Sequence, residues 1–596
     1  MFSNVPNENS GEIPDLYLPN LAFTPDEPNN PTIANRRNNF LFAIRMLFAE
    51  HKKSSSSLMP HQHDSLQWLL DHPEIIVMNS DKNLGPAVIE RNRYVELAWS
   101  DHLSDRKTYQ ELSRDEAIRK LRQIRNSIFI FTGAFCSLSD DDQEFIIRSL
   151  ENIDNNAGFA FMYLTAKIHK SPLKTRAIIS YSGSICHGIA LWVDYILKKI
   201  LKHMKYVARS SKDVVNELRS RRWNKNCLLF SADAVSMYTN IHFGHAQAEF
   251  LYFLEEDEKG KNIVQLECIS VKALIRGLEI VMTNNVFQFG DTYWLQTAGT
   301  AMGGPPAPSY AMLYFGIHEE RIIPQFEELE YYTRYIDDTL NVWEPPNNDD
   351  TVNMKRIDDF MKAMNSYGNN HPFFIQNPSL KPLQWTKTDI CKKVAFLDLD
   401  ITFINASFHI KIFEKELNLH LYIPPHSCHA PGILKGFIYG SIHRAKNLHS
   451  NPEDIPSFIK KTYYRLRHRG HSSKSLLPIF ASAMSSILDG VKMCTPQPHQ
   501  NPTLDKQPLY LQLPYNPADP HRLQLQKAFT DTITQPLNKK HISEIRTKNN
   551  FDGPVDFDRL QICYTKNKSL GNMLSPRKLR LGDFSMKKFF EQFEKS

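Results

Sequence analysis

Residues 334–340 read Arg-Tyr-Ile-Asp-Asp-Thr-Leu, and they are the clearest indication of architecture in this chain of 596 residues. Apolar and aromatic runs flank them at 331–335 and 340–343, and such runs are typical of strands. Two strands with so short a polar connection predict a hairpin that carries Asp337 and Asp338 at its tip. An ordinary polar turn would look the same, so these residues alone do not define a site.

Another carboxylate follows an apolar segment earlier in the chain. Leu228–Phe230 predicts a buried strand, and Asp233 lies just beyond it. A carboxylate at the end of a buried apolar strand costs free energy to bury unless it is paired, protonated or bound to a cation. Capping a helix N-terminus is the alternative role for Asp233.

Together these acids predict a site for two Mg²⁺ ions. Phosphoryl transfer from a triphosphate uses two such ions, about 3.5–4 Å apart. Magnesium prefers carboxylates, water and phosphate oxygens, and Mn²⁺ could replace it. Adjacent strands could deliver Asp233 and Asp337 to one sheet edge, where Asp338 would add charge or support the other two. All three are therefore candidate catalytic residues and metal ligands.

A glycine-rich segment separates the two acidic strands. Residues 297–308 contain Gly299, Gly303 and Gly304 and precede a predicted helix over 310–320. Glycines in front of a helix allow close approach of the backbone to a nucleotide, although a plain flexible loop is equally compatible with the segment. Residues 395–403 alternate between apolar and other side chains, which predicts a strand. The mixture of helical and strand patterns favours an α+β or α/β core, and we assign the fold class as α+β.

The composition narrows the class of protein. Hydrophobic residues make up 41% and charged residues 23%, which excludes a fibrous or wholly disordered chain. No cysteine pair has CxxC spacing, and no secretory signal or membrane-spanning run is visible, so we expect an intracellular protein with no membrane association. Residues 1–37 are rich in Asn and Pro and predict a disordered tail, and 495–520 predict a Pro-rich linker.

Positive charge is concentrated near the C-terminal side. The net charge is only +6, but Lys and Arg dominate between residues 435 and 474. Two predicted helices, 434–448 and 456–469, would carry this charge and could contact a nucleic-acid backbone, whereas a solvated basic face is the alternative. The candidate contacts are Lys435, Arg444, Lys460, Lys461, Arg465, Arg467 and Arg469.

The ordered set of motifs resembles a known family. Residues 233–240, 299–308 and 335–338 look like motifs A, B and C of a reverse transcriptase palm. The neighbouring segments are similar to motifs of the Penelope-like retroelements, and the resemblance covers about 75–585. These segments are 81–89, 163–170, 176–180, 396–401, 435–438 and 563–574.

The resemblance implies a right-hand polymerase with fingers, an antiparallel palm sheet and a helical thumb. The N-terminal region and fingers would span 38–225, the palm 226–430, the thumb 431–494 and a C-terminal extension 521–596, with the reverse transcriptase core at about 160–430. The resemblance also implies an RNA-directed DNA polymerase that uses an RNA template, a DNA primer and dNTPs, and a location in the nucleus. The residues expected at the nucleotide are Lys167, Arg176, Ala234, Tyr238 and Gly303.

Within this resemblance, Tyr238 would lie beneath the incoming sugar and exclude a 2′-hydroxyl. The chain departs from the family at Gly304-Pro305-Pro306, where relatives have Ser after the second Gly. No segment after 585 could hold the GIY-YIG nuclease of many relatives, so we expect an endonuclease-lacking member that uses a pre-existing 3′ end. An RNA-dependent RNA polymerase and a catalytically silent RNA-binding protein are the alternatives, and protein partners are unknown.

Overall fold

A computed structural model describes most of the chain. It covers residues 31–50, 58–134, 138–151, 153, 157–346, 349–488, 506–517, 519–533, 556–565, 574, 584–586 and 590. Within these ranges, helices pack around several mainly antiparallel sheets, so the α+β class is confirmed. None of the helices in the described ranges is long and apolar enough to cross a bilayer.

The N-terminal region is a mixture of helices and short strands, with a 3-10 turn at Asp81–Asn83 and a π-helical turn at Trp99–Leu103. Its elements are α1 (Pro31–Glu50), α2 (Pro60–Asp71), β1 (Ile75–Asn79), β2 (Pro86–Glu90), α3 (Arg91–Ala98), β3 (Tyr109–Leu112), α4 (Arg114–Ala134), α5 (Asp140–Glu151), β4 (Ala160–Lys167), β5 (Lys174–Ser180), α6 (His187–Leu201) and α7 (Ser211–Ser220).

The middle region contains the acidic strands and the helix that follows the glycine-rich segment. Its elements are β6 (Leu228–Phe230), β7 (Ala232–Ala234), α8 (Met237–Asn240), α9 (Phe243–Glu255), α10 (Glu258–Leu266), α11 (Val271–Thr283), β8 (Asn285–Phe289), β9 (Thr292–Gln296), α12 (Ala307–Ile322), β10 (Leu329–Tyr335), β11 (Asp338–Trp343), α13 (Asp350–Met364), α14 (Pro372–Gln376), β12 (Trp385–Lys387), β13 (Lys393–Phe396), β14 (Leu399–Ile404) and β15 (Ser407–Ile412).

The last region starts with three helices and ends with a small α/β unit. Its elements are α15 (Ile433–Leu448), α16 (Ile455–His468), α17 (Ser473–Ile487), β16 (Lys506–Pro514), α18 (Arg522–Thr532) and β17 (Asp556–Thr565). Helices α15–α17 share their own apolar core, which includes Ile438, Leu466 and Phe480.

Two five-stranded sheets organise the core. The central sheet has the order β10-β11-β7-β12, with β6 also paired to β11, and the second sheet has the order β3-β9-β8-β4-β5. A single large apolar cluster joins them, and α12 lies within it with buried residues on all sides, as expected for a helix without a polar face. Strands β8 and β9 lie in the range predicted as palm, yet β8 pairs with β4. The second sheet therefore spans the predicted boundary at 225/226.

Three local predictions need correction. Residues 31–37, expected in the tail, begin α1, whose Phe40 packs against Phe529 with ring centroids 5.7 Å apart. Residues 506–514, expected in the linker, form β16, because alternating leucines there reach an apolar cluster. The alternation over 395–403 is a hairpin of β13 and β14, with Leu397 at φ 55°, and not a single strand.

Candidate active site

The structure brings Asp233, Asp337 and Asp338 to one edge of the central sheet. Asp233 lies directly opposite Asp338 in the antiparallel pairing of β7 and β11. The carbonyl of Asp337 accepts a hydrogen bond of 2.9 Å from the backbone N–H of Ala234. Directly opposite residues of an antiparallel pair have Cβ atoms about 4.5–5.5 Å apart, so the predicted convergence of the acids is present.

The hairpin turn that carries Asp337 is conformationally demanding. Ile336 precedes it with φ 55°, which is unfavourable for a β-branched residue and persists only where neighbours enforce it. Arg334 provides that enforcement, because its Nη1 donates to the Ile336 carbonyl at 2.9 Å. The strained backbone of Ile336 and the Arg334 hydrogen bond that supports it thus lie next to Asp337, the candidate catalytic acid.

A fully buried ion pair holds Arg334 in place. Its Nε and Nη2 contact the two carboxylate oxygens of Glu319 at 2.5 and 2.8 Å, and both side chains are inaccessible to solvent. Tyr332 donates its hydroxyl to the same carboxylate, and Nη2 of Arg334 also donates to the Met312 carbonyl at 2.8 Å. The hairpin is therefore fixed to helix α12 through charge-assisted hydrogen bonds.

Asp338 is the most perturbed of the three acids. Burial raises its pKa to about 6, and the charges of Asp233 and Asp337 act in the same direction. The hydroxyl of Ser231 donates to one of its carboxylate oxygens at 2.8 Å, and the Leu397 N–H also bonds to it, which partly offsets the rise in pKa. Asp338 is thus held within the sheet, which fits a supporting role better than direct contact with a substrate.

Asp233 and Asp337 are more exposed than Asp338. Desolvation raises the pKa of Asp233, and the charge of Asp337 raises it further, so the two carboxylates repel each other. Like charges at one edge are stabilised by a bound divalent cation, and hard carboxylate oxygens are the ligands that Mg²⁺ prefers. The donor set therefore fits the predicted magnesium ions.

The glycine-rich segment packs between the residues after β7 and strand β5. Gly299 has φ +69°, and a Cβ there would lie 2.7 Å from the Thr239 Cα. Gly303 has φ +109°, and a Cβ there would lie 2.7 Å from the carbonyl oxygen of Ile179. Both positions therefore require glycine. The Pro305-Pro306 departure is accommodated, because Pro306 takes helical angles directly before α12.

Tyr238 links the acids to the predicted triphosphate residues. Burial raises the pKa of its hydroxyl to about 12; the charge of Asp337 also raises it, while that of Arg176 lowers it. The ring is half-buried and its carbonyl accepts from the Thr300 N–H at 2.6 Å. The structure thus brings Tyr238, Asp337 and Arg176 into one electrostatic environment.

Arg176 and Lys167 lie on the paired strands β5 and β4. Arg176 forms an ion pair of 3.1 Å with Asp81, in the 3-10 turn after β1. Desolvation lowers the pKa of Lys167, and the nearby charge of Arg176 lowers it further. The side chain of Ala234 is only 6% exposed and its N–H is used in the sheet, so its contact with a nucleotide remains a prediction.

Several of the basic side chains on α15 and α16 are engaged within the protein. Arg465 and Lys461 pair with Glu414 at 2.6 and 3.3 Å, and Arg444 pairs with Asp398. The side chains of Arg467 and Arg469 donate to the backbone carbonyls of His471 and Tyr422, and the Lys435 ammonium lies 5.4 Å from the centroid of the Tyr439 ring. Lys460 is exposed. Their nucleic-acid contacts stay predictions, and these intramolecular bonds would compete with them.

Sequence reasoning missed four residues that shape the site: Ser231, Asp81, Glu319 and Leu397. Ser231 is two positions before Asp233, so alternation along a strand could have placed it on the same face. Nothing local indicates that Glu319 pairs with Arg334, because one lies on a helix and the other on a strand.

Comparisons with known proteins add distant structural likenesses. No family model matches the chain, and no curated protein matches it. Telomerase from Candida albicans in complex with a TWJ fragment of telomeric RNA aligns over 83% of this chain and 79% of its own, at 8% identity and a TM-score of 0.43. Apo telomerase from Candida tropicalis aligns over 86% and 84%, at 9% identity and a TM-score of 0.39. The RNA-dependent RNA polymerase of a human picobirnavirus aligns over 76% and 86%, at 11% identity and a TM-score of 0.37.

Proposed function

We propose that the protein is an RNA-directed DNA polymerase that extends a primer 3′ end, and that it belongs to the endonuclease-lacking Penelope-like reverse transcriptases. The observation that carries the proposal is the register that sets Asp233 opposite Asp338, with Asp337 beside them at the hairpin tip. The motif order of the sequence supports the family assignment.

The chemistry follows from the charge distribution at this edge. The primer 3′-hydroxyl loses its proton to solvent and its oxygen attacks the α-phosphorus of a dNTP. The bond between that phosphorus and the oxygen that bridges to the β-phosphate breaks, and pyrophosphate leaves with this oxygen. Two Mg²⁺ ions, when bound, would neutralise the negative charge on the attacking and leaving oxygens. Asp233 and Asp337 are the residues that would hold them, while Asp338, fixed by Ser231 and the Leu397 N–H, keeps the carboxylates in position.

The remaining residues would bind and orient the nucleotide. Arg176 has a planar guanidinium that suits bidentate contact with a phosphate, and Asp81 holds it in its observed position. Lys167 lies close enough for its pKa to be affected by Arg176, so the two cations form one patch on the same sheet. Asp337 and Arg176 both act on the pKa of the Tyr238 hydroxyl, and this proximity fits a triphosphate that would bridge the cations and the metal ions.

The choice of sugar would depend on Tyr238. Its backbone is anchored to the Gly299–Gly304 loop, because the Thr300 N–H binds its carbonyl and Gly299 packs against the same oxygen, and its side chain is half-buried. A fixed aromatic ring at this position would clash with a 2′-hydroxyl and favour deoxynucleotides. This is the feature that favours a DNA polymerase over an RNA polymerase.

The deciding experiment is primer extension on a primed RNA template, with dNTPs or rNTPs and with or without Mg²⁺. We expect Mg²⁺-dependent incorporation of dNTPs by the unmodified protein, and loss of extension in Asp337→Asn with RNA binding intact. Asp389→Asn is a matched control, because Asp389 lies in the connection after β12 and outside the acid edge.

Three results would contradict the proposal. A strong preference for rNTPs in the unmodified protein would favour the RNA polymerase alternative, and Tyr238→Ala would then change the preference little. Absence of any extension together with tight RNA binding would favour the silent RNA-binding alternative. Equal loss of binding and extension in Asp337→Asn would show that the acid has a structural role.

A further inference from the structure

A cluster of metal-ligand residues lies away from the acid edge. His245 and Glu249 are one turn apart on α9, and His371 caps the N-terminus of α14. One ligand atom from each of the three lies within 4.8 Å of the other two. His245 and His371 stack edge to face, with ring centroids 4.4 Å apart and planes at 86°. Residues far apart in the chain thus converge on one point.

The buried imidazole of His245 has an unused nitrogen. Its side chain is inaccessible to solvent, and its Nδ1 lies 2.8 Å from the Tyr314 hydroxyl. Its Nε2 has no hydrogen-bond partner among the residues that the structure describes. Nε2 is instead 3.9 Å from the nearer carboxylate oxygen of Glu249, too far for a hydrogen bond. Buried polar atoms are normally satisfied, so this nitrogen calls for a partner that the described part of the chain does not supply.

We propose that His245, Glu249 and His371 form a site for Zn²⁺ or a similar borderline divalent cation, which joins α9 to the start of α14. Two imidazole nitrogens and one carboxylate oxygen are a common zinc ligand set, and a water molecule completes the tetrahedron. Ligand atoms around zinc lie about 3.4 Å apart, so small rotations of the three side chains close the cluster.

The groups around the three ligands are arranged to support a cation. The Tyr314 hydroxyl contacts Nδ1 of His245 at 2.8 Å, and such a partner fixes the orientation of a metal-binding imidazole. Arg321 holds the second carboxylate oxygen of Glu249 at 2.8 Å, which orients the first oxygen toward His245. The Nδ1 of His371 accepts only a long bond of 3.2 Å from the Phe373 N–H, which metal binding can replace.

This site differs in chemistry from the acid edge. Three aspartates form a hard, oxygen-only set that suits Mg²⁺, whereas the nitrogen-rich set at His245 selects zinc or cobalt over magnesium. The inference does not depend on the proposed polymerase activity, and zinc bound here would contribute to stability and not to the transfer step.

The test is the metal content of the full untagged chain, exposed to equimolar Zn²⁺ and dialysed against excess Mg²⁺, which occupies the aspartates. We expect about one zinc per chain, which falls below about 0.1 in His371→Ala and Glu249→Gln, measured by mass spectrometry of the metal. His468→Ala, at an exposed histidine on α16, is the control and should retain the zinc. Replacement of zinc by Co²⁺ should give the visible absorption of a tetrahedral nitrogen and oxygen site.

The proposal fails if the unmodified chain retains no zinc, or if both ligand variants retain as much as His468→Ala. Should a ligand variant fail to fold, the Co²⁺ spectrum of the unmodified chain decides. Tetrahedral absorption that persists in excess Mg²⁺ supports the site, and absence of that absorption overturns it.

Discussion

Replacement of Arg334 by methionine should destabilise the protein and displace the hairpin that carries Asp337. The variant leaves Glu319 buried without its cation, and removal of one partner from a buried pair costs about 3–5 kcal/mol. It also removes the hydrogen bond of 2.9 Å from Arg334 to the Ile336 carbonyl. This bond supports the Ile336 backbone in its unfavourable conformation, with φ 55°. Stability and the geometry of the site therefore depend on the same side chain.

A double variant separates these two effects. In Arg334→Met/Glu319→Gln the buried carboxylate becomes a neutral amide, whose oxygen can still accept a hydrogen bond from the Tyr332 hydroxyl. Most of the lost stability should return, because no uncompensated charge remains in the core. The bond to the Ile336 carbonyl stays absent. A hydrogen bond from a charged donor contributes about 1.5–3 kcal/mol, which corresponds to roughly 10–150-fold in rate if it acts fully on the transition state.

The assay combines thermal unfolding with single-turnover primer extension at a temperature where every variant is folded. We expect Arg334→Met to unfold at a clearly lower temperature, the double variant to recover most of the difference, and both to extend slowly. Extension by the double variant at the rate of the unmodified protein would refute the role of Arg334 in positioning the hairpin. An unchanged unfolding temperature in the single variant would refute the energetic role of the buried pair.

Three further predictions follow from other contacts. Gly303→Ala should cost about 1–3 kcal/mol and abolish extension, because its Cβ would meet a backbone oxygen at φ +109°, whereas Gly436→Ala, with open space on α15, should raise the unfolding temperature. Asp338→Asn should stabilise the metal-free protein at pH 7 in thermal melts. Burial raises the folded-state pKa of Asp338 to about 6 from the ordinary value of 3.8, so the stability that protonated Asp338 provides is full below 3.8 and is lost as pH rises through about 6. The gain in stability of the variant should therefore vanish at low pH. Lys460→Gln should reduce the salt dependence of RNA–DNA duplex binding more than Arg465→Gln, because Glu414 already neutralises Arg465 at 2.6 Å, and the reverse order in a salt titration would contradict this account.

Local sequence patterns predicted helices and strands well where the residues of the element itself show an apolar run or a regular periodicity. The strand over 228–230, the helix over 434–448 and the hairpin at 335–338 all occur within a few residues of their expected bounds. The prediction failed at 395–403, where alternation continues through a reversal of the chain at Leu397, a residue that rarely adopts a positive φ. It also failed at β16, because proline-rich composition concealed the alternating leucines.

The residues of the candidate site likewise fall into two groups, those that the local sequence indicated and those that it did not. The acidic residues and glycines could be singled out because the proposed chemistry of phosphate and metal ions constrains their types and order. Ser231 and the Arg334–Glu319 pair were not, since each acts through a contact that no local pattern encodes. The cluster of His245, Glu249 and His371 was equally hidden, because its members share no recognisable spacing along the chain.

By itself, the amino-acid sequence determined which residues could perform the chemistry: three aspartates, two cations, a tyrosine and the glycines between them, in an order typical of one class of polymerase. Only the tertiary structure decided that Asp338 lies opposite Asp233, that Ser231 supports it from 107 positions away, and that a buried ion pair fixes the hairpin. The physical reason is that strand register and burial depend on contacts between distant segments, and the free energy of these contacts is absent from any local stretch of the chain.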